Sequence, residues 1–120
     1  MPVIRIDVPE GTQRETKKRI RDGVKQAVLD TLAPKETKYD YVAVREAFAE
    51  MGDGVPFVAV DLRPGREVAR KKALVDAIAH ILQVELNSDP VDLYVEFREN
   101  PAENHYCGGT PLAAWVPADK

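Results

Sequence analysis

The segments VIRIDV (3–8) and FVAVDL (57–62) alternate apolar and polar residues with a period of two. That is the mark of a strand with one buried face. Each is followed by a segment of helical period. QRETKKRIRDGVKQAVLDTL (13–32) sets Ile20, Val24, Ala27, Val28 and Leu32 on one stripe, and EVARKKALVDAIAHILQVEL (67–86) does so with Leu74, Ala77, Ile78, Ile81 and Leu82. The turn-forming runs APKE (33–36) and NSDP (87–90) close the two helices, and AEMGDGVP (49–56) reads as a joint between two halves. A second strand ends each half, around YVAVRE and YVEFRE.

The halves resemble each other residue by residue. Placing residue 2 over residue 56 matches Pro2, Asp7, Gly11, Lys17, Lys18, Asp22 and Leu32 with Pro56, Asp61, Gly65, Lys71, Lys72, Asp76 and Leu86. After a one-residue slip, Tyr41, Val42, Arg45, Glu46, Ala49 and Glu50 fall on Tyr94, Val95, Arg98, Glu99, Ala102 and Glu103. Self-similarity on this scale predicts a duplicated supersecondary unit. The expected organisation is a single domain, 1–120, with repeat units at 2–51 and 56–109 and a C-terminal tail at 110–120.

A strand–helix–strand unit carries parallel strands and a right-handed crossover. Two of them pair most simply into an α+β fold: a four-stranded mixed sheet with both helices on one face. Ile4, Ile6, Val8, Val42, Val44, Val58, Val60, Leu62, Leu93, Val95 and Phe97 are expected to face the helices. Arg5, Asp7, Tyr41, Arg45, Phe57, Asp61, Tyr94, Glu96 and Arg98 are expected on the other face, a polar surface suited to contacts within an oligomer.

Composition narrows the class. A hydrophobic content of 44% with 31% charged residues fits an ordinary globular domain. A net charge of −3 gives no general pull toward nucleic acid or a membrane surface, and neither partner is expected. No apolar run approaches the ~20 residues that span a bilayer, and no signal segment follows Met1. The single cysteine, Cys107, rules out an internal disulfide framework and points to the cytoplasm. The basic run KKRIR (17–21) reads as a solvated helix face, and His80 as a solvated flank residue.

Three features together resemble the tautomerase superfamily: Pro2 behind the initiator methionine, DLRPGREVARKKAL (61–74) with its R-x-G-R pair, and ENPAENHYCGGTPLA (99–113) with its paired glycines. With the duplication, the chain resembles a fused, two-unit member of the 4-oxalocrotonate tautomerase type, with features of the 3-chloroacrylic acid dehalogenases. The resemblance implies a homotrimer, no cofactor, no metal, and catalysis by an amino-terminal proline on a small carboxylate substrate.

Freed of Met1, Pro2 would carry a secondary amine. An α-amino group titrates near ~7.7–8.0, and burial or nearby positive charge lowers that value. The result is a rigidly held base suited to neutral pH. Arg63 and Arg66 offer planar forks that match a carboxylate and remain charged. Two cations near a helix start are unfavourable by themselves, and a bound anion offsets that. If strands 1 and 3 run antiparallel, Pro2 lies beside the turn that carries both arginines. The related corner pairs Pro56, an internal amide without basicity, with Glu10, Gly11 and Thr12.

His105, Tyr106 and Cys107 are further candidates for substrate binding. Cys107 stands where the chloroacrylic acid dehalogenases place a water-activating glutamate, His105 where 4-oxalocrotonate tautomerase has an aromatic residue, and Val28 where the cis-specific dehalogenase has a histidine. Thr37 is the nearest match to the aspartate of malonate semialdehyde decarboxylase. Trp115 is expected to pack its tail on a neighbouring subunit. The reading is an enol–keto tautomerase of small unsaturated 2-oxo or 2-hydroxy acids. A hydratase or dehalogenase using the proline as general acid, a decarboxylase, and an inactive ligand-binding trimer stand as alternatives.

Overall fold

Two strand–helix–strand units lie back to back in one sheet in the computed structural model, which describes residues 2–34, 41–47 and 56–117. The first contributes β1 (Val3–Val8), α1 (Arg14–Leu32) and β2 (Tyr41–Glu46); the second contributes β3 (Phe57–Leu62), α2 (Val68–Leu86) and β4 (Tyr94–Glu99). A small hairpin of β5 (Tyr106–Cys107) and β6 (Thr110–Pro111) follows. The expected start of the tail, residue 110, falls inside this hairpin. Thr37 and most of the 49–56 joint lie outside the described residues.

The four-stranded sheet has the order β2-β1-β3-β4. Within each unit the strands are parallel, and β1 and β3 meet antiparallel at the centre with Val3 opposite Asp61 and Ile6 opposite Val58. Elements recur at the spacing of the sequence repeat: β3 and α2 begin 54 residues after β1 and α1, and β4 begins 53 after β2. Ladder extensions repeat as well, Ala47 N–H donating to Val8 O at 2.8 Å and Asn100 N–H to Leu62 O at 2.9 Å.

The period-two strands bury one face completely. Ile4, Ile6, Val8, Val58, Val60 and Leu62 are fully buried against Ile20, Val24, Val28, Leu32, Leu74 and Ile78. Burying each such side chain contributes roughly 1.5–3 kcal/mol. On edge strands β2 and β4, Val44, Val95 and Phe97 are only partly buried against this core. The helices approach closely at Gly23, where an added Cβ would lie 3.2 Å from Ile81 Cδ1.

The polar face is built from ion pairs that repeat with the fold. Asp7 accepts Arg45 at 3.2 Å and Asp61 accepts Arg98 at 2.8 Å, while Arg5 reaches across the centre to Asp61 at 2.6 Å. Phe57 stacks on Tyr94 with ring centroids 5.7 Å apart. At the sheet ends Lys17 pairs with Glu46 at 2.7 Å, and Lys71 with Glu99. The Lys17 bond, then the Gly11 N–H at 3.1 Å, holds the Glu46 carboxyl below its usual range.

Both helices stop in a left-handed residue. Asn87 (φ 57°) sends its N–H to Gln83 O at 3.0 Å, and Ser88 N–H reaches Leu82 O at 3.4 Å, a two-bond C-terminal cap. α1 ends instead at Ala33, with φ 46°, where a Cβ is unfavourable. Among the described residues no helix is long and apolar enough to cross a membrane. Ala33→Gly relieves the strain at the α1 terminus and is expected to stabilise the fold by about 1 kcal/mol, read as a higher urea midpoint at unchanged slope.

Candidate active site

The β1–β3 register decides where the candidate residues fall. Val3 stands opposite Asp61, so one step back Pro2 faces Leu62, the residue before Arg63. Pro2 is buried, and its carbonyl accepts Tyr41 N–H at 3.3 Å, fixing the start of β1 between β2 and β3. Met1 lies outside the described residues.

The chain leaves β3 through the turn Arg63-Pro64-Gly65-Arg66 and enters α2, whose first turn has no acidic residue. Gly65 turns the backbone at φ 116°, a conformation that L side chains avoid. Arg66 folds back and donates from Nη1 to Arg63 O at 2.9 Å, so one arginine braces the backbone of the other. Arg66 is only 4% exposed, whereas Arg63 is half-buried. Burial holds the Arg63 guanidinium, which lies near Cys107, below the usual arginine value. From so high a starting point the group stays charged at neutral pH.

The C-terminal segment returns over this turn. Arg63 Nη1 donates to Ala113 O at 2.6 Å, and the Trp115 ring lies under two guanidiniums, 4.4 Å from Arg66 Cζ and 5.7 Å from Arg70 Cζ. Arg70 also donates to Glu67 at 2.7 Å and to Thr31 O at 3.3 Å, placing a cation at the carbonyl end of α1. Arg63 Nε and Trp115 Nε1 are buried donors with no acceptor among the described residues. Trp115, expected on a neighbouring subunit, therefore packs within its own chain, because the hairpin turns the tail back toward α2.

Pro2, Arg63, Arg66 and Cys107 thus gather at one end of the central strand pair. The other two candidates are held differently. His105 Nε2 lies 3.0 Å from Asn100 O, and its carbonyl accepts Leu112 N–H at 2.8 Å, which fastens the hairpin. Tyr106 is largely exposed and pairs with Pro111 across the hairpin. Ala113 and Trp115 were not legible as site residues. The signal that could have found Trp115 is its indole, the aromatic ring that best accommodates a guanidinium face.

The pseudo-symmetric corner has the opposite character. A cavity of about 200 Å³ there is lined by Pro9, Pro56, Leu86, Asn87, Ser88, Asp89 and Asp92. Two carboxylates line it, and no arginine does. A larger cavity, about 490 Å³, is lined by Arg14, Glu15, Lys17, Lys18 and Arg21 of α1 with Val44 of β2. It exists where Val44 replaces the bulkier Phe97 of the second unit, and Val44 pairs with mid-strand Ile6, away from Pro2. Among the described residues no cluster of three or more His, Cys, Asp or Glu could hold a metal ion.

Residues 56–114 match the sequence model of the family described as Tautomerase enzyme, so this half of the chain belongs to that family, and the whole chain has the tautomerase superfamily fold. It is similar to a fused 4-OT wild-type asymmetric trimer at 19% identity over 91% of this chain and 94% of that one, with a TM-score of 0.78. A member of the cis-3-chloroacrylic acid dehalogenase family aligns at 21% identity over 98% of this chain and 86% of that one, TM-score 0.79. Malonate semialdehyde decarboxylase aligns at 19% identity over 88% and 90%, TM-score 0.70. No curated protein matches the chain in sequence.

Gly65→Ala places a Cβ at φ 116° and 3.6 Å from Trp115 Cε3, and is expected to destabilise the protein by about 1–3 kcal/mol in urea denaturation. The equivalent change at a surface helix position such as Lys25→Ala is expected to stay within about 0.5 kcal/mol.

Proposed function

We propose that the protein is an enol–keto tautomerase acting on small unsaturated 2-oxo or 2-hydroxy acids, with Pro2 as the base and Arg63 and Arg66 as the anion-stabilising pair. The observation that carries this reading is the register that sets buried Pro2 opposite Leu62, beside the arginine turn. Once Met1 is cleaved, the proline nitrogen is a secondary amine whose protonated form is disfavoured by burial and by the neighbouring guanidiniums. The amine takes the enol O–H proton as the oxygen lone pair forms C=O. The C=C electron pair takes a proton at the adjacent carbon, giving the 2-oxo acid and returning the amine to its starting state.

The arginines bind the carboxylate and stabilise negative charge on the enolate oxygen as it develops. The amide dipoles at the start of α2 act in the same sense. Cys107, beside Arg63, is a pocket-wall residue, and His105 and Tyr106 shape the hairpin that borders the pocket. The polar sheet face and the trimeric assembly named for the fused 4-OT neighbours support a homotrimer, and a lone cysteine suits a reducing cytoplasm.

A hydratase or dehalogenase activity is the second reading. It is favoured by the Arg63–Arg66 spacing and the likeness to the cis-3-chloroacrylic acid dehalogenase family, and opposed by the absence of a carboxylate at Cys107.

Phenylenolpyruvate ketonisation, followed by absorbance, tests the assignment. Pro2→Ala is expected to lower kcat/KM about tenfold or more, since it replaces a rigidly held secondary amine with a flexible primary one. Arg63→Ala is expected to lower it about a hundredfold. Pro56→Ala at the acidic corner is expected to stay within about twofold. Wild-type rates in both Pro2→Ala and Arg63→Ala defeat the assignment, as does intact-mass evidence that the active protein retains Met1. Halide release from 3-haloacrylates, at a rate exceeding ketonisation, favours the second reading.

A further inference from the structure

Both arginines of the turn are at least partly covered by the C-terminal segment, whereas Pro64 and Gly65 between them are exposed. Ala113 O accepts from Arg63 Nη1 at 2.6 Å, the Trp115 ring covers the Arg66 guanidinium at 4.4 Å, and Arg66 is 4% exposed. Pro117, just beyond, is buried and anchors the segment. The carbonyl of Ala113 takes an N–H of Arg63 that a carboxylate would use, and the indole stacked on Arg66 holds the segment in place over both guanidiniums. The carbonyl is a weaker partner for Arg63 than a carboxylate would be. A peptide oxygen is neutral, whereas an anionic acceptor makes roughly twice as strong a bond.

Two donors remain unsatisfied beneath the cover, Arg63 Nε and Trp115 Nε1, each buried without an acceptor among the described residues. A buried donor without an acceptor is unfavourable. An arriving carboxylate, with its several lone pairs, can serve Arg63 Nε as well as Nη1, and an indole released to solvent finds water for its N–H.

We propose that the segment Ala113–Trp115 is a ligand-displaced cap on the arginine pair, and that Trp115 sets the affinity for carboxylates by anchoring this cap on Arg66. The proposal rests on the reading of Arg63 and Arg66 as a carboxylate site. A carboxylate enters by replacing Ala113 O on Arg63 and lifting the indole from Arg66. Affinity then reflects the difference between the ligand's contacts and those of the cap. The cap belongs to the same chain, so this competition operates within each protomer.

Trp115 is the only tryptophan in the sequence, so its emission reports the cap alone. The full-length protein is titrated with oxalate at constant ionic strength, reading tryptophan fluorescence and calorimetric heat in parallel. The expected result is a saturable emission change whose midpoint matches the calorimetric affinity and which is lost in Arg63→Ala. By calorimetry, Trp115→Ala is expected to bind oxalate about three- to tenfold more tightly, the range of one competing cation–π contact. Trp115→Phe, which keeps a ring face, is expected to stay near wild type.

Calorimetric binding with silent fluorescence overturns the cap while leaving the carboxylate site standing. Weaker oxalate binding by Trp115→Ala also overturns it, because the ring would then support the clamp and not compete with the ligand. Absence of calorimetric binding by the wild type overturns the carboxylate site and the cap together.

Discussion

The antiparallel meeting of β1 and β3 is the constraint on which the rest of the structure depends. Antiparallel neighbours exchange ends, so the start of each central strand lies beside the finish of the other. With Val3 opposite Asp61, Pro2 reaches the turn leading into α2, and Pro56 reaches the turn leading into α1. The parallel partners β2 and β4 are then outermost, and both helices cross on the same face. A one-residue slip between β1 and β3 would carry Ile4 and Ile6 to the polar face and draw Pro2 away from the arginines. Core packing and site geometry are therefore set by the same register.

The ion pairs on the open face reinforce that register more than they add stability. Asp7–Arg45 and Asp61–Arg98 each join a central strand to its parallel neighbour, and Arg5–Asp61 joins the two central strands. Such partly exposed pairs contribute at most about 1 kcal/mol each. Their alignment across the sheet nonetheless disfavours slipped pairings, which would oppose like charges or leave Asp61 without its two arginines. The apolar face supplies the driving force and the polar face the specificity.

The sheet, both helices and the helix-facing residues were legible because each rests on a strong period: two in VIRIDV and FVAVDL, 3.6 in the stripes through Ile20 and Leu74. Burial was less legible on β2 and β4. Val44, Val95 and Phe97 have the right alternation, yet an edge strand is only partly roofed by its helix. The place of Pro2 beside Arg63 followed from topology and could be reasoned forward. The tail could not. Trp115 and Ala113 belong to no periodic segment, and their contacts depend on a two-residue turn at Gly108 and Gly109 that redirects the chain. Arg66 was read as a planar fork for a carboxylate, and its burial was not foreseen because arginine is seldom buried. Its burial comes from two neighbours invisible in the local pattern, the Arg63 carbonyl and the Trp115 ring.

Comparison of the two halves separates scaffold from site more sharply than either half alone. Positions identical in both units recur as the same contacts: Asp7 and Asp61 hold Arg45 and Arg98, and Lys17 and Lys71 hold Glu46 and Glu99. The two corners nonetheless differ in charge. At the repeat spacing, Arg63 falls on Pro9 and Arg66 on Thr12, so the second corner keeps the backbone and loses both cations. Asp89 and Asp92 then give that corner negative charge, which repels a carboxylate ligand. Pro2 and Pro56 are the exception that clarifies the rule. Both occupy the buried start of a central strand, where a missing N–H suits the fold, but only Pro2 can become a chain terminus, through cleavage of Met1, and so gain a nitrogen with a lone pair to share. The same residue is thus scaffold in one half and candidate reagent in the other, and the difference lies in the covalent connection of a single nitrogen.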